Sequence, residues 1–231
     1  MFNGKNKAIT FSFDDGTTQD IRLIEIFDKY GLKATFNINS GFFGQGGELC
    51  RNDRMVAHKK NAEKDIPLIY KNHEIAVHTL THRNLTELCE ADILYEVLED
   101  YKNLSRIMGY DTVGMAYPCG GVNNDKRVAD IIKNNTPIKY ARTITSSYSF
   151  APQTNLYQFN PTVYLLETDK MFELAHSFLS LNADSPQIFY IWGHSFEFDA
   201  YDLWDKFEEF CALVSRHDDI FYGTNSEILL G

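Results

Sequence analysis

The stretch KAITFSFDDGTTQD, residues 7–20, decides how this chain is read. Ile9, Phe11 and Phe13 alternate with Ala8, Thr10 and Ser12. A period of two is the signature of a strand, here with one bulky face and one small-residue face. Asp14 continues the small face, the side suited to a barrel interior, and Asp15 begins a turn. Gly16 gives that turn the backbone freedom it needs. Two carboxylates side by side at the end of an apolar strand repel each other, so the pair calls for a proton or a cation to offset the charge.

Working outward, strand-like and helix-like stretches alternate. Residues 20–30 carry Ile21, Ile24, Phe27 and Tyr30 at helical spacing. Further strands are expected at 33–38, 73–77, 114–118, 138–143, 162–166, 187–192 and 219–223. Further helices are expected at 91–108, 124–134, 170–181 and 203–214, the first with an apolar stripe running from Ile93 to Met108. A polar insertion, residues 40–72, glycine-rich at first and helical later, separates the second and third strands. Strands separated by helical patterns of this length indicate βαβ units and a largely parallel sheet. Without a linker, an internal repeat or a low-complexity segment, the expectation is a single α/β domain over residues 1–231, closed as a (β/α) barrel.

The 231 residues are 44% hydrophobic and 14% aromatic, ample for a core of that kind. With 32 acidic against 22 basic residues and no basic run, a nucleic acid is excluded as the main partner. No apolar run reaches the roughly 18–20 residues of a membrane span. The N-terminus as written has no secretory leader, so a cytoplasmic location is expected, or an extracytoplasmic one had a leader been removed. Cys50, Cys89, Cys119 and Cys211 are scattered with no C-x-x-C pair and read as reduced thiols.

Reactive groups in a βα barrel sit where the strands end. The polar residues directly after the predicted strands are Asp14 and Asp15, His78, Tyr117 and Cys119 within YPCGG (117–121), Arg142, and His194. In HTLTH (78–82) the two histidines are four apart, so a helical turn would bring both imidazoles to one face. Two imidazoles and a carboxylate leave open positions, a set that suits catalytic zinc and related divalent metals. One aspartate can then ligate while its neighbour accepts a proton from a water whose pKa the metal lowers toward ~7. His194 is a candidate general acid. Trp192, Phe196 and Phe198 are candidates for a wall against a sugar ring.

Together these residues resemble the polysaccharide deacetylase family, also called the NodB-homology domain or carbohydrate esterase family 4. SFDDG (12–16) is similar to its T-F-D-D-G motif, and HTLTH (78–82) matches H-[ST]-x-x-H in full. AYPCGGVN (116–123) is similar to R-x-P-Y-G-x-x-N, and IWGHS (191–195) to an apolar strand ending in histidine. The order agrees from residue 8 to about 222. The resemblance implies a distorted (β/α) barrel of about seven parallel strands and a divalent metal, usually zinc, with cobalt, nickel or manganese as alternatives. It implies Asp14 as base, Asp15, His78 and His82 as metal ligands, and His194 as acid. The backbone N–H of Cys119 would stabilise the oxyanion as water attacks an acetyl carbonyl.

Three departures from the pattern stand out. Ala116 occupies the position of the family's arginine, for which Arg142 on the next strand is the candidate replacement. Cys119 stands where tyrosine is common. No counterpart of the family's aspartate-tryptophan motif precedes His194, since DLW (202–204) follows it, and the residue that tunes His194 is left unassigned. The expected function is metal-dependent removal of N-acetyl, or O-acetyl, groups from a polysaccharide, oligosaccharide or amino-sugar conjugate. The alternatives are a metal-independent C–N hydrolase of imides or ureides on the same fold, and an inactive carbohydrate-binding homologue.

Overall fold

A computed structural model describes residues 2–231. In chain order its strands are β1 (Lys7–Asp14), β2 (Ala34–Ile38), β3 (Glu48–Arg51), β4 (Arg54–Ala57), β5 (Glu74–Val77), β6 (Gly114–Ala116), β7 (Tyr140–Arg142), β8 (Val163–Tyr164), β9 (Gln187–His194) and β10 (Ile220–Tyr222). The helices are α1 (Asp20–Tyr30), α2 (Ile66–Ile69), α3 (Glu90–Met108), α4 (Lys126–Asn135), α5 (Thr168–Ser180), α6 (Phe196–Tyr201), α7 (Trp204–Val214) and α8 (Asn225–Leu229).

Every residue of β1 is buried, and the main sheet is built around it. One edge pairs with β9 along its whole length, from Lys7↔Gln187 to Asp14↔His194. The other edge is divided: β10 takes Lys7 to Ile9 and β2 takes Phe11 to Asp14. The strand order β7-β6-β5-β2-β1-β9-β8 is parallel throughout. The two outer strands are linked by an irregular segment rather than by direct pairing. Phe159 exchanges main-chain hydrogen bonds with Ala141 and Thr143, at 3.0 and 2.9 Å, and the Thr162 N–H donates to Tyr190 at 2.8 Å. The result is a curled, distorted (β/α) barrel with helices around it.

The two faces of β1 do what the alternation predicts. Phe11 and Phe13 point outward to the helices, with ring centroids 4.8 and 5.9 Å from Phe27 of α1 and 6.2 and 6.0 Å from Phe207 of α7. Burial of each such ring is worth roughly 2–3 kcal/mol. The small residues line the interior and bind polar groups there. Thr10 donates to Asn225 Oδ1 at 2.8 Å, and Ser12 Oγ accepts from Asn37 at 2.8 Å and from Arg142 Nε at 3.1 Å.

The 40–72 excursion holds an antiparallel hairpin, β3–β4, as well as the short helix α2. Its hairpin residues are mostly exposed, so they carry no apolar alternation from which a strand could be read. No helix among the described residues is long and apolar enough to cross a membrane.

His73, just before β5, ties β2 in place from below. Its Nδ1 accepts the Ala34 N–H at 3.2 Å, which requires an unprotonated nitrogen there. Burial pushes its pKa down to about 4, against the opposing pull of Asp28. The unfolded chain therefore takes up this proton first, and the contribution, complete above about pH 6.5, is lost as pH falls toward 4. Between pH 7 and pH 5 the loss is expected to be ~2 kcal/mol. His73→Asn keeps an acceptor without the titration. Urea unfolding at both pH values should show the variant losing less stability than wild type by that amount, and equal losses would refute the assignment.

Candidate metal centre and active site

Asp14 and His194 are direct register partners at the ends of β1 and β9. Asp14 is buried, and both its oxygens are taken by Nη2 of Arg142. Asn37 adds a hydrogen bond of 2.8 Å to Oδ1. Arg142, itself fully buried at the end of β7, also donates to Ser12 and Thr143, and its guanidinium lies 4.6 Å over the Trp192 ring. Burial pushes the Asp14 carboxyl up, but Arg142, with His78 and His194, outweighs it and holds the pKa below the ordinary value. Arg142 therefore stands against Asp14 from the strand after Ala116.

Asp15 turns away from the strand at φ +82°, with its N–H donating to Asn37 O at 2.9 Å. Its Oδ1 faces two imidazoles, His78 Nε2 at 4.0 Å and His82 Nε2 at 3.6 Å. The three ligand atoms lie within 4.8 Å of one another. His78 Nδ1 sits 2.9 Å from Ala116 O, so the ring donates there and presents an unprotonated Nε2 to Asp15. Burial, partly opposed by Asp14, pushes its pKa down to about 4. One carboxylate and two neutral imidazoles fit a divalent metal.

His78 and His82 do not lie on a helical turn, as their spacing suggested. They are joined by an irregular loop in which Thr79 has φ +66° and His82 φ +57°. Cys119, facing them, has φ +69°. Four non-glycine residues in left-handed conformations around one point mark a site whose surroundings hold it in place. Those surroundings are visible. Asp100 of α3 accepts from the N–H groups of His78 and Ser40 at 3.0 and 2.7 Å, Glu96 accepts from Thr81, and Asn39 donates to the carbonyls of His78 and Thr79.

Two partners of Asp15 come from the excursion, and sequence reasoning did not find them. His58 Nε2 lies 3.2 Å from Oδ2, and Lys60 Nζ lies 3.3 Å from Oδ1. Burial raises the Asp15 pKa, but the His58 hydrogen bond, Lys60 and the nearby histidines hold it well below the ordinary range. Nothing in the sequence around either residue marks them, because they reach the site only through the fold of the hairpin.

Glu197 is the third residue missed. It lies three positions after His194 in the first turn of α6, and is buried. Its Oε2 accepts the His194 N–H at 3.1 Å and lies 3.2 Å from Nδ1, while its Oε1 accepts from the Tyr164 hydroxyl. Burial lowers the His194 pKa, but Glu197, with Asp15 and Asp14, raises it to about 9. The signal was present as the spacing H-x-x-E in HSFE, hidden because the tuning group was sought before the histidine.

These groups open onto a cavity of about 470 Å³ lined also by Leu49 and Arg51 of the hairpin, Tyr117, Cys119, Tyr164, Trp192 and Phe196. Tyr117 presents its ring, its hydroxyl being spent on Tyr157 O at 2.8 Å. Cys119 Sγ donates to His82 O at 3.4 Å, and Asn123 holds the Cys119 carbonyl at 2.8 Å. Trp192 has Tyr164 stacked on it at 4.5 Å and the Arg142 guanidinium 4.6 Å from its ring, so much of the indole is covered by protein. Phe198 does not join the wall. It packs in the core against Phe13, Trp204 and Phe207.

The chain has counterparts among known proteins. A peptidoglycan-N-acetylglucosamine deacetylase, PgdA, from Listeria monocytogenes is 27% identical over 129 residues, 55% of this chain and 24% of the relative. The match thus spans about a quarter of that protein's length. A solved structure of T48 deacetylase with substrate superposes with a TM-score of 0.60 at 15% identity, covering 100% of this chain and 94% of its own. A family 4 carbohydrate esterase from Streptomyces lividans gives 0.55 at 13% identity, with 95% and 93% covered. These likenesses carry the fold. The family model described as polysaccharide deacetylase matches residues 3–136, more than half of the chain, and the protein belongs to that family.

Proposed function

We propose that this chain hydrolyses N-acetyl groups on an amino-sugar glycan, with Asp15, His78 and His82 holding a divalent metal, zinc foremost. The observation that carries the reading is the pairing of Asp14 with His194 across β1 and β9, directly beside the three candidate ligands. One member of the pair is held in its basic form and the other in its acidic form. Two titratable groups with pKa values pushed apart are the arrangement that divides base from acid.

When bound, the metal would polarise the acetyl carbonyl and lower the pKa of water. Asp14, ionised and fixed by Arg142 and Asn37, takes the proton of the attacking water at a carboxylate oxygen. His194 gives its proton to the departing amine nitrogen, and Glu197 holds the ring and its charge while it does so. The Cys119 N–H is the proposed donor to the developing oxyanion. The cavity has room for a sugar unit, and the class of substrate is supported by the family and by the Listeria relative.

Acetate release from chitooligosaccharides and peptidoglycan fragments tests this. Chelation should abolish it and zinc restore it, and Asp14→Asn should lose at least ~100-fold in kcat/KM. Full activity of that variant would remove the proposed base, and no release from any acetylated glycan by wild type would favour a binding protein.

Glu197→Gln separates a tuned acid from a bystander. His194 must keep its proton, so activity should fall as pH rises through about 9 in wild type. In the variant that limb, and the His194 titration followed by NMR, should move toward the ordinary histidine value of ~6.5. An unmoved limb would show that Glu197 does not set the acid.

Arg142→Met leaves the Asp14 charge buried without its partner. A loss of ~3–5 kcal/mol in urea unfolding is expected, with part of it recovered in the double variant carrying Asp14→Asn. A loss below ~1 kcal/mol would mean that Arg142 is not the counter-ion the geometry makes it.

A further inference from the structure

Adjacent aspartates were expected to need a cation, and the chain supplies one to each. Arg142 answers Asp14, as described above. Lys60 answers Asp15, and it does so from a fixed position. Its side chain is only 8% exposed, and its main chain is stitched to the turn that carries Asp15. Thr17 pairs with Lys60 in an antiparallel bridge, Thr18 N donates to Lys59 O at 2.8 Å, and Asn61 N donates to Gly16 O at 3.0 Å. The other face of this segment is held too, by the Lys60 N–H to Gln45 O at 2.9 Å. The ammonium is therefore delivered to Asp15 by backbone pairing, not by a flexible arm that happens to fold over.

The choice of oxygen matters. Lys60 Nζ lies 3.3 Å from Oδ1, the oxygen that also faces His78 and His82, while His58 occupies Oδ2 at 3.2 Å. A divalent ion on the three ligands would share one carboxylate oxygen with an ammonium. Like charges that close, inside a buried site, repel with little screening. His58 has the opposite effect, because a hydrogen bond to the far oxygen of a ligating carboxylate orients it without adding a competitor on Oδ1.

We propose that Lys60 is a resident cation of this centre, which competes with the metal for Asp15 and sets its affinity below what Asp15, His78 and His82 alone would give. His58 is the positioning residue that keeps Oδ1 turned to the histidines. The proposal rests on the reading of those three residues as the metal ligands. The 40–72 excursion thereby becomes part of the metal centre, and metal uptake is coupled to how firmly the hairpin is seated.

The test is metal affinity on metal-stripped protein, read by competition with a chromogenic zinc chelator and by the zinc-induced shift in Tm. Lys60→Met and Lys60→Gln remove the charge, the second keeping a hydrogen-bond donor, so that one serves if the other fails to fold. Both should bind zinc at least ~10-fold tighter than wild type and show a lower Tm before zinc is added. Lys60→Arg keeps the charge and should stay within ~3-fold of wild type. His58→Ala should bind ~10-fold more weakly, in the range of lost outer-shell partners. Wild-type affinity in both neutral variants, or weaker binding, would overturn the role of Lys60 while leaving the metal site intact. Zinc bound by the neutral variants but not by wild type would support it in its strongest form. No zinc on any of the proteins would overturn both this proposal and the metal reading beneath it.

Discussion

Two buried aspartates in succession are the constraint around which the rest of this molecule is arranged. Water cannot relieve their repulsion, since both are at most 7% exposed, and they are neighbours in the chain. The chain relieves it by sending them apart. Strand geometry carries Asp14 inward to Arg142, and a left-handed backbone at Asp15 swings the second carboxylate over the barrel mouth to Lys60, His58 and the two histidines. The left-handed turn costs of order 1 kcal/mol, and the surrounding hydrogen bonds hold it. The polar lining of the barrel follows from the same choice, because a buried guanidinium needs acceptors, and Ser12 and the Thr143 carbonyl supply them.

Much of this was legible in the sequence. The alternation in β1 fixed which face would be interior, and the helical stripes placed α1, α3, α4, α5 and α7 with shifts only at their ends. Strand ends named Asp14, Asp15, His78, Arg142 and His194 because barrel chemistry gathers there. The histidine loop was misread as a helical turn. Spacing of four is equally compatible with a loop pinned by Glu96 and Asp100 from α3, and those contacts are invisible until the helix is packed. His58, Lys60 and Glu197 were missed for related reasons. Two arrive on a mostly exposed hairpin without apolar pattern, and the third sits on a helix too short to show a period.

Repulsion between adjacent aspartates does not by itself require a bound metal, because fixed cations, Arg142 and Lys60, meet that need. What supports a metal is the donor set itself: a carboxylate oxygen facing two imidazoles, one of them locked by Ala116 with its Nε2 unprotonated. A lysine could not use that geometry, since it has no ligand field to satisfy and Lys60 approaches Oδ1 without either histidine as partner.

Asp14 presents a conflict that the pairing with His194 resolves. Arg142 fixes the carboxylate in place but makes it a weaker base. A weak base serves only if the proton it accepts has somewhere favourable to go. His194 lies beside it in register, held in its charged form by Glu197, so in the proposed reaction its proton is the one that would go to the departing amine. That transfer would leave His194 neutral as Asp14 becomes protonated. The net charge of the mouth would be unchanged by this exchange, although Arg142 and Glu197 would each face a neutral partner until the protons return. Precision in this site therefore rests on two ion pairs that face each other across adjacent strands: Arg142 with Asp14, and Glu197 with His194.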